Sequence, residues 1–183
     1  GMSGPSPLGS ALPIPAVRPI EHFIVAAAPI LTIAVLWTRR LPTRQLLAVV
    51  FVGSQLPDLI DKPLAHELGV LPSGRVFMHS LPIALPVSAV ALAYAVATGR
   101  RRLGGAFVGA YLLHLLGDTY RTLQRGTIPP DLLWPLMAPI SRPAVPYWAG
   151  PHSINLHLWT AFSGLVLGLG LLLLGRDVRR QCA

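Results

Sequence analysis

The sequence predicts an all-α, polytopic membrane protein, a bundle of about five transmembrane helices. Three observations carry this. The chain has 183 residues, 52% hydrophobic and only 12% charged, with a mean hydropathy of +0.58. Soluble domains carry roughly 25% charged residues, so this chain lacks the charge to cover a water-facing surface. Its apolar residues fall into five runs, and its arginines gather in the short segments between some of them.

The first run covers about 22–37 and the second about 45–60, with Gly53 and Pro57 near its end. The third covers about 76–98, the fourth about 103–118 and the fifth about 154–174. Several fall short of the ~20 residues a straight helix needs to cross a bilayer; tilt-free short spans are offset by local thinning or by polar helix extensions. Residues 1–20 are rich in Pro, Gly and Ser and read as an irregular arm, not a signal peptide. Residues 21–176 then form one transmembrane domain, and 177–183 a basic tail. The connection 119–153 is long and Pro-rich. Its TIPPDLLWPLMAP stretch reads as a re-entrant or interfacial segment over the polar ends of the helices. Trp134, Tyr147 and Trp148 in the same connection could equally be interfacial anchors.

The segments RRLPTR (39–44), GRRR (99–102) and RDVRR (176–180) hold three arginines each. They follow runs one, three and five, so they share one side, which the positive-inside rule makes cytoplasmic. This places the N-terminus outside and the C-terminus in the cytoplasm. The net charge of +8 is therefore first a topology signal. No nucleic-acid-binding motif is present, and the single Cys182 excludes an intrachain disulfide and a Cys-rich zinc module.

On this frame, ionisable groups collect at one face, the non-cytoplasmic one. His22 opens run one, Asp58 and Asp61 close run two, His79 lies in the first turns of run three, and His114 and Asp118 close run four. Ionisable groups at membrane depth are costly and mark function by default. His114 and Asp118 are i and i+4, and Asp58 and Asp61 are i and i+3, so each pair shares a helix face. Imidazole with carboxylate suits zinc, with manganese or another first-row ion as alternatives. Six donors exceed what one tetrahedral ion needs, and one or two ions are expected. Against this stands a bland reading for each group: a buried hydrogen-bonded His–Asp pair, a proline-flanked helix-end turn, and a histidine serving a backbone carbonyl.

PDLIDKP (57–63), RVFMHS (75–80), HLLGD (114–118) and LLWP (132–135) together resemble the signature of the YdjM-like family, membrane-bound proteins taken to be metal-dependent hydrolases. The order of motifs is also similar to that of zinc-dependent phospholipase C and its related nucleases. The resemblance covers about 22–142. It implies that His22, Asp58 or Asp61, His79, His114 and Asp118 are metal ligands. The soluble enzymes add a later HxxxE motif, and this chain has no Glu after Glu67, so two metals or fewer are expected.

The expected function is hydrolysis of a phosphoester in a lipid or other amphiphile by a metal-activated water. Asp58 is the candidate to orient that water or accept its proton. Arg75 is the candidate to hold an anionic group, and Ser80 a supporting hydrogen-bond donor or a helix cap. Membrane lipids are the expected partners. A metal transporter or channel is the rival class, and a structural protein whose metal site staples the helices is the third.

Overall fold

The structure, a computed structural model, describes residues 19–139, and beyond them positions 161, 164, 165, 168 and 172, all with helical backbone. Four α-helices follow one another: α1 Pro19–Thr38, α2 Arg44–His66, α3 Leu81–Ala97 and α4 Arg101–Gln124. A short 3-10 helix, Pro130–Leu133, comes last. There is no strand among the described residues, in agreement with the all-α expectation. The N-terminal arm, the basic tail and nearly all of the fifth run lie outside the described residues, as do Tyr147 and Trp148.

Local chemistry sets the boundaries. Thr43 caps α2, its hydroxyl accepting the Leu46 N–H at 3.2 Å. Pro82 starts α3, where its missing N–H costs nothing. Gly99 ends the hairpin between α3 and α4 with φ +71°, a conformation that carries a steric penalty for any residue with a Cβ. The third run thus begins as a helix only at Leu81. Residues 76–80, read from sequence as its first turns, are an irregular segment that lies across the bundle. The fourth run continues six residues past Asp118, to Gln124.

Helix α4 is central and packs on α1, α2 and α3. The closest approach is at Gly53 of α2, where an added Cβ would stand 2.6 Å from the Phe107 carbonyl oxygen of α4. One apolar cluster joins Ala26, Ala27, Val50, Ala106 and Ala110. A second joins Met78, Ala84, Tyr111 and Leu115. Helix interfaces of small residues are typical of membrane bundles, where backbones pack closely.

The large apolar side chains mostly point the other way. Ile33, Phe51, Leu59, Leu85, Val90 and Tyr94 are all more than half exposed. Polar groups lie inside, with His22, Asp61, Ser80 and His114 fully buried. An apolar exterior around a small, polar interior fits lipid as the surrounding medium. By length and composition, α1 is the one described helix able to cross a membrane. α3 is apolar but has 17 residues. α2 and α4 have 23 and 24 residues but carry aspartate, histidine and arginine.

Candidate metal centre

The buried end of the bundle brings five of the sequence-predicted residues together. His22 comes from the first turn of α1, Asp58 from α2, His79 from the segment before α3, and His114 and Asp118 from α4. All five side chains are at most 6% exposed.

Two of the imidazoles have their orientation fixed from behind. His79 Nδ1 lies 2.8 Å from Asp61 Oδ2, and His114 Nδ1 lies 2.6 Å from the Ser54 carbonyl oxygen. A carbonyl can only accept, so His114 Nδ1 carries the proton and its Nε2 carries a lone pair. Donation from His79 Nδ1 to the Asp61 carboxylate leaves the same result on His79. The two Nε2 atoms then face each other at 3.1 Å. Two lone pairs at that distance repel unless a cation, either a proton or a metal ion, lies between them.

The carboxylates complete the set. His79 Nε2 is 3.4 Å from Asp58 Oδ1 and 3.4 Å from Asp118 Oδ2. His114 Nε2 is 3.9 Å from each of the same two oxygens. Metal bonds of about 2.0–2.1 Å place tetrahedral ligand atoms roughly 3.3–3.4 Å apart. The donor distances of 3.1–3.9 Å among Asp58, His79 and His114 bracket that value. These three side chains are therefore able to hold a divalent ion on two imidazoles and one carboxylate, with Asp118 beside them. His22 Nε2 stands 3.3 Å from Asp118 Oδ1, and its ring stacks on His114 at 3.9 Å. His22, His114 and Asp118 form a second donor group that overlaps the first, Asp58, His79 and His114. An imidazole nitrogen has one lone pair, so the shared His114 serves one ion at a time.

Asp61 departs from the expectation of a ligand. Its Oδ1 accepts the Met78 N–H at 2.8 Å, and its Oδ2 takes the His79 N–H at 3.3 Å together with His79 Nδ1. It is buried behind His79 and positions that ring, as carboxylates do behind metal-bound histidines. From the other side the Tyr111 hydroxyl donates to the Met78 carbonyl at 2.6 Å. Residues 78 and 79 are thus clamped between α2 and α4. Ser80 departs as well. It occupies the N-cap position of α3 without a side-chain cap bond, and its hydroxyl donates to the Phe77 carbonyl at 2.8 Å. It shapes the turn that carries His79 and is not directed at the donors.

Cations flank the centre on two sides. Arg75 reaches Asp118 Oδ1 at 3.1 Å, and Lys62 reaches Asp58 Oδ2 at 2.6 Å. Both Asp58 oxygens are therefore engaged, one toward the imidazoles and one on Lys62. A cavity of about 30 Å³ opens beside the donors, lined by Arg75, His79, Asp118, Thr122 and Asp131 among others. That is room for one or two water molecules. The 3-10 helix contributes Pro129, Asp131 and Leu132 to its wall. Trp134 packs edge-on against Phe77 at 6.2 Å. Of TIPPDLLWPLMAP, expected to lie over the polar face, Pro129, Asp131 and Leu132 do so.

Sequence reasoning missed Lys62, Tyr111, Asp131 and the Ser54 carbonyl. The first two carried a signal, because Lys62 is i+4 from Asp58 and Tyr111 is i−3 from His114, each on the same helix face. The Ser54 carbonyl had none, since its role depends on how closely α2 and α4 approach.

The family profile described as "YdjM inner membrane protein" matches residues 17–176. No curated protein and no solved structure matches the chain.

Proposed function

Since the chain belongs to the YdjM inner membrane protein family, we propose that it is a membrane-embedded, metal-dependent hydrolase acting on a phosphoester of a lipid or other amphiphile. The single observation that carries this is the pair of Nε2 lone pairs, each fixed by its own Nδ1 partner, converging with two carboxylate oxygens beside a water-sized cavity. A stapling site needs the donors alone. The cavity against His79 and Asp118 leaves an approach for water, as a hydrolytic centre requires.

Asp58, His79 and His114 would hold one zinc or other first-row ion, and His22, His114 and Asp118 form the overlapping alternative. When bound, such an ion lowers the pKa of water and polarises a phosphoryl oxygen. The remaining work belongs to the protein. Asp61 and the Ser54 carbonyl hold the two rings in the donating tautomer. Arg75, held against Asp118, presents guanidinium N–H groups to negative charge developing in the same cavity. Asp131 brings a carboxylate to that cavity and is placed to accept a proton from water there.

A transport role requires polar groups at successive depths. The described ligands instead cluster at the start of α1 and toward the ends of α2 and α4. We further propose five membrane-crossing helices, the fifth at 154–174, with the N-terminus outside, the C-terminus cytoplasmic and the metal face non-cytoplasmic. Phospholipid and bis(p-nitrophenyl) phosphate hydrolysis by the purified protein, measured beside its metal content, tests the reading. Stoichiometric metal with hydrolysis lost on chelation supports it. Metal without hydrolysis of either substrate, together with unfolding on chelation, would overturn it in favour of a staple.

A further inference from the structure

Each carboxylate beside the two imidazoles has its second oxygen on a cation. Asp58 turns Oδ1 toward His79 Nε2 at 3.4 Å, while its Oδ2 sits 2.6 Å from Lys62 Nζ. Asp118 turns Oδ2 toward the same nitrogen at 3.4 Å, while its Oδ1 sits 3.1 Å from Arg75 and 3.3 Å from His22 Nε2. The pattern repeats on two helices with two different cations. A carboxylate whose second oxygen is held in this way offers a metal ion one atom, not two.

Lys62 is packed for this contact. It stands i+4 from Asp58, so both side chains leave one face of α2. Its side chain is 19% exposed and that of Asp58 is 6% exposed, a pair that salt screens little. Gly74 lies against the Lys62 stem, where an added Cβ would stand 3.4 Å from Cγ. A groove of about 180 Å³ borders Asp58 and Lys62, with Gln55, His66 and Glu67 also on its wall. Space of that size admits water beside Asp58 and gives its carboxylate room to turn. The ammonium, more than packing, therefore fixes the rotation of that carboxylate.

The number of oxygens a carboxylate offers bears on which ion it suits. Zinc is satisfied by four ligand atoms. Manganese and calcium favour six or more oxygens, reached with bidentate carboxylates and retained waters. We propose that Lys62 is a positioning residue that sets the metal specificity of the centre. By occupying Asp58 Oδ2 it keeps Asp58 monodentate, which favours zinc over manganese. The proposal rests on the hydrolase reading only for the presence of a metal ion, and it holds whether that ion cuts a substrate or staples the helices.

The test is the ratio of zinc to manganese affinity of the full chain in a non-ionic detergent. Zinc is followed by competition with a chromophoric chelator, and manganese by the electron paramagnetic resonance of the free ion. Lys62→Met is expected to lower the ratio about tenfold or more, and Lys62→Arg, which still reaches Oδ2, to keep it. Loss of a positive charge strengthens binding of both divalent ions, and general loosening of the fold weakens both, so neither moves the ratio as a freed carboxylate does. An unchanged ratio in Lys62→Met overturns the proposal. Should Lys62→Met fail to fold, X-ray absorption of the manganese-loaded wild type decides. A close metal–carbon shell, the mark of a bidentate carboxylate, overturns the proposal, and its absence supports it. A wild type that binds neither ion sinks the metal reading itself. A ratio that shifts as expected in a protein without hydrolytic activity sinks only the hydrolase reading and leaves the role of Lys62 standing.

Discussion

His114 Nδ1 sits 2.6 Å from the Ser54 carbonyl oxygen, and this contact decides what His114 can do. It commits the ring's only N–H to α2 and turns the Nε2 lone pair toward His79, Asp58 and Asp118. His114→Ala and Asp118→Ala should each lower zinc content of the purified protein at least tenfold. Elemental analysis beside wild type checks this. Equal metal in all three proteins would remove the site.

Asp61 acts through His79. Asp61→Asn preserves shape but exchanges a charged acceptor for an amide that holds His79 Nδ1 less firmly. A loss of about 10–100-fold in zinc affinity is expected, measured by competition with a chromophoric chelator. Asp61→Glu should not restore it, because the backbone bonds to residues 78 and 79 need the shorter side chain.

Tyr111→Phe removes the hydroxyl that donates to the Met78 carbonyl and leaves that carbonyl without this donor. A destabilisation of about 1–3 kcal/mol is expected, seen as a lower melting temperature in detergent. Because Asp61 still grips residues 78 and 79, zinc binding should weaken less than in Asp61→Asn.

Gly53→Ala places a methyl 2.6 Å from the Phe107 carbonyl oxygen, so α2 and α4 must separate. Overpacking of this kind costs about 1–3 kcal/mol. The same displacement pulls Ser54 away from His114. Stability and zinc affinity should therefore fall together, although residue 53 touches no ligand. A Gly53→Ala protein with wild-type zinc affinity would show that the Ser54 contact is dispensable.

Arg75→Met should leave zinc bound, since Arg75 contacts Asp118 from outside the donor set. Phosphodiester hydrolysis should fall about 10²–10³-fold, the scale of losing one charge-stabilising donor. A fall confined to KM would assign Arg75 to binding alone.

The helices and the cluster were legible because they rest on local rules. Apolar runs mark helices, and i,i+4 spacing put His114 and Asp118 on one face. Positions that depend on tertiary approach were not legible. Asp58 and Asp61 look alike in PDLID, and only the path of residues 76–80 makes the first a donor and the second a brace. His79 reads as helical because its neighbours are apolar. Its backbone instead spends its N–H on Asp61, one residue before the N-cap of α3. Lys62 stands in PDLIDKP with no role assigned from sequence, and the fold puts its ammonium on Asp58.

The centre is also assembled in a fixed order as the chain is made. His22, Asp58 and His79 leave the ribosome before α4 exists, and each faces a place that only His114 and Asp118 complete. Until then Asp58 and Asp61 have His79 and Lys62 as partners but lack the second imidazole. Docking of α4 against Gly53 is the event that closes the apolar interface and delivers the last two donors together.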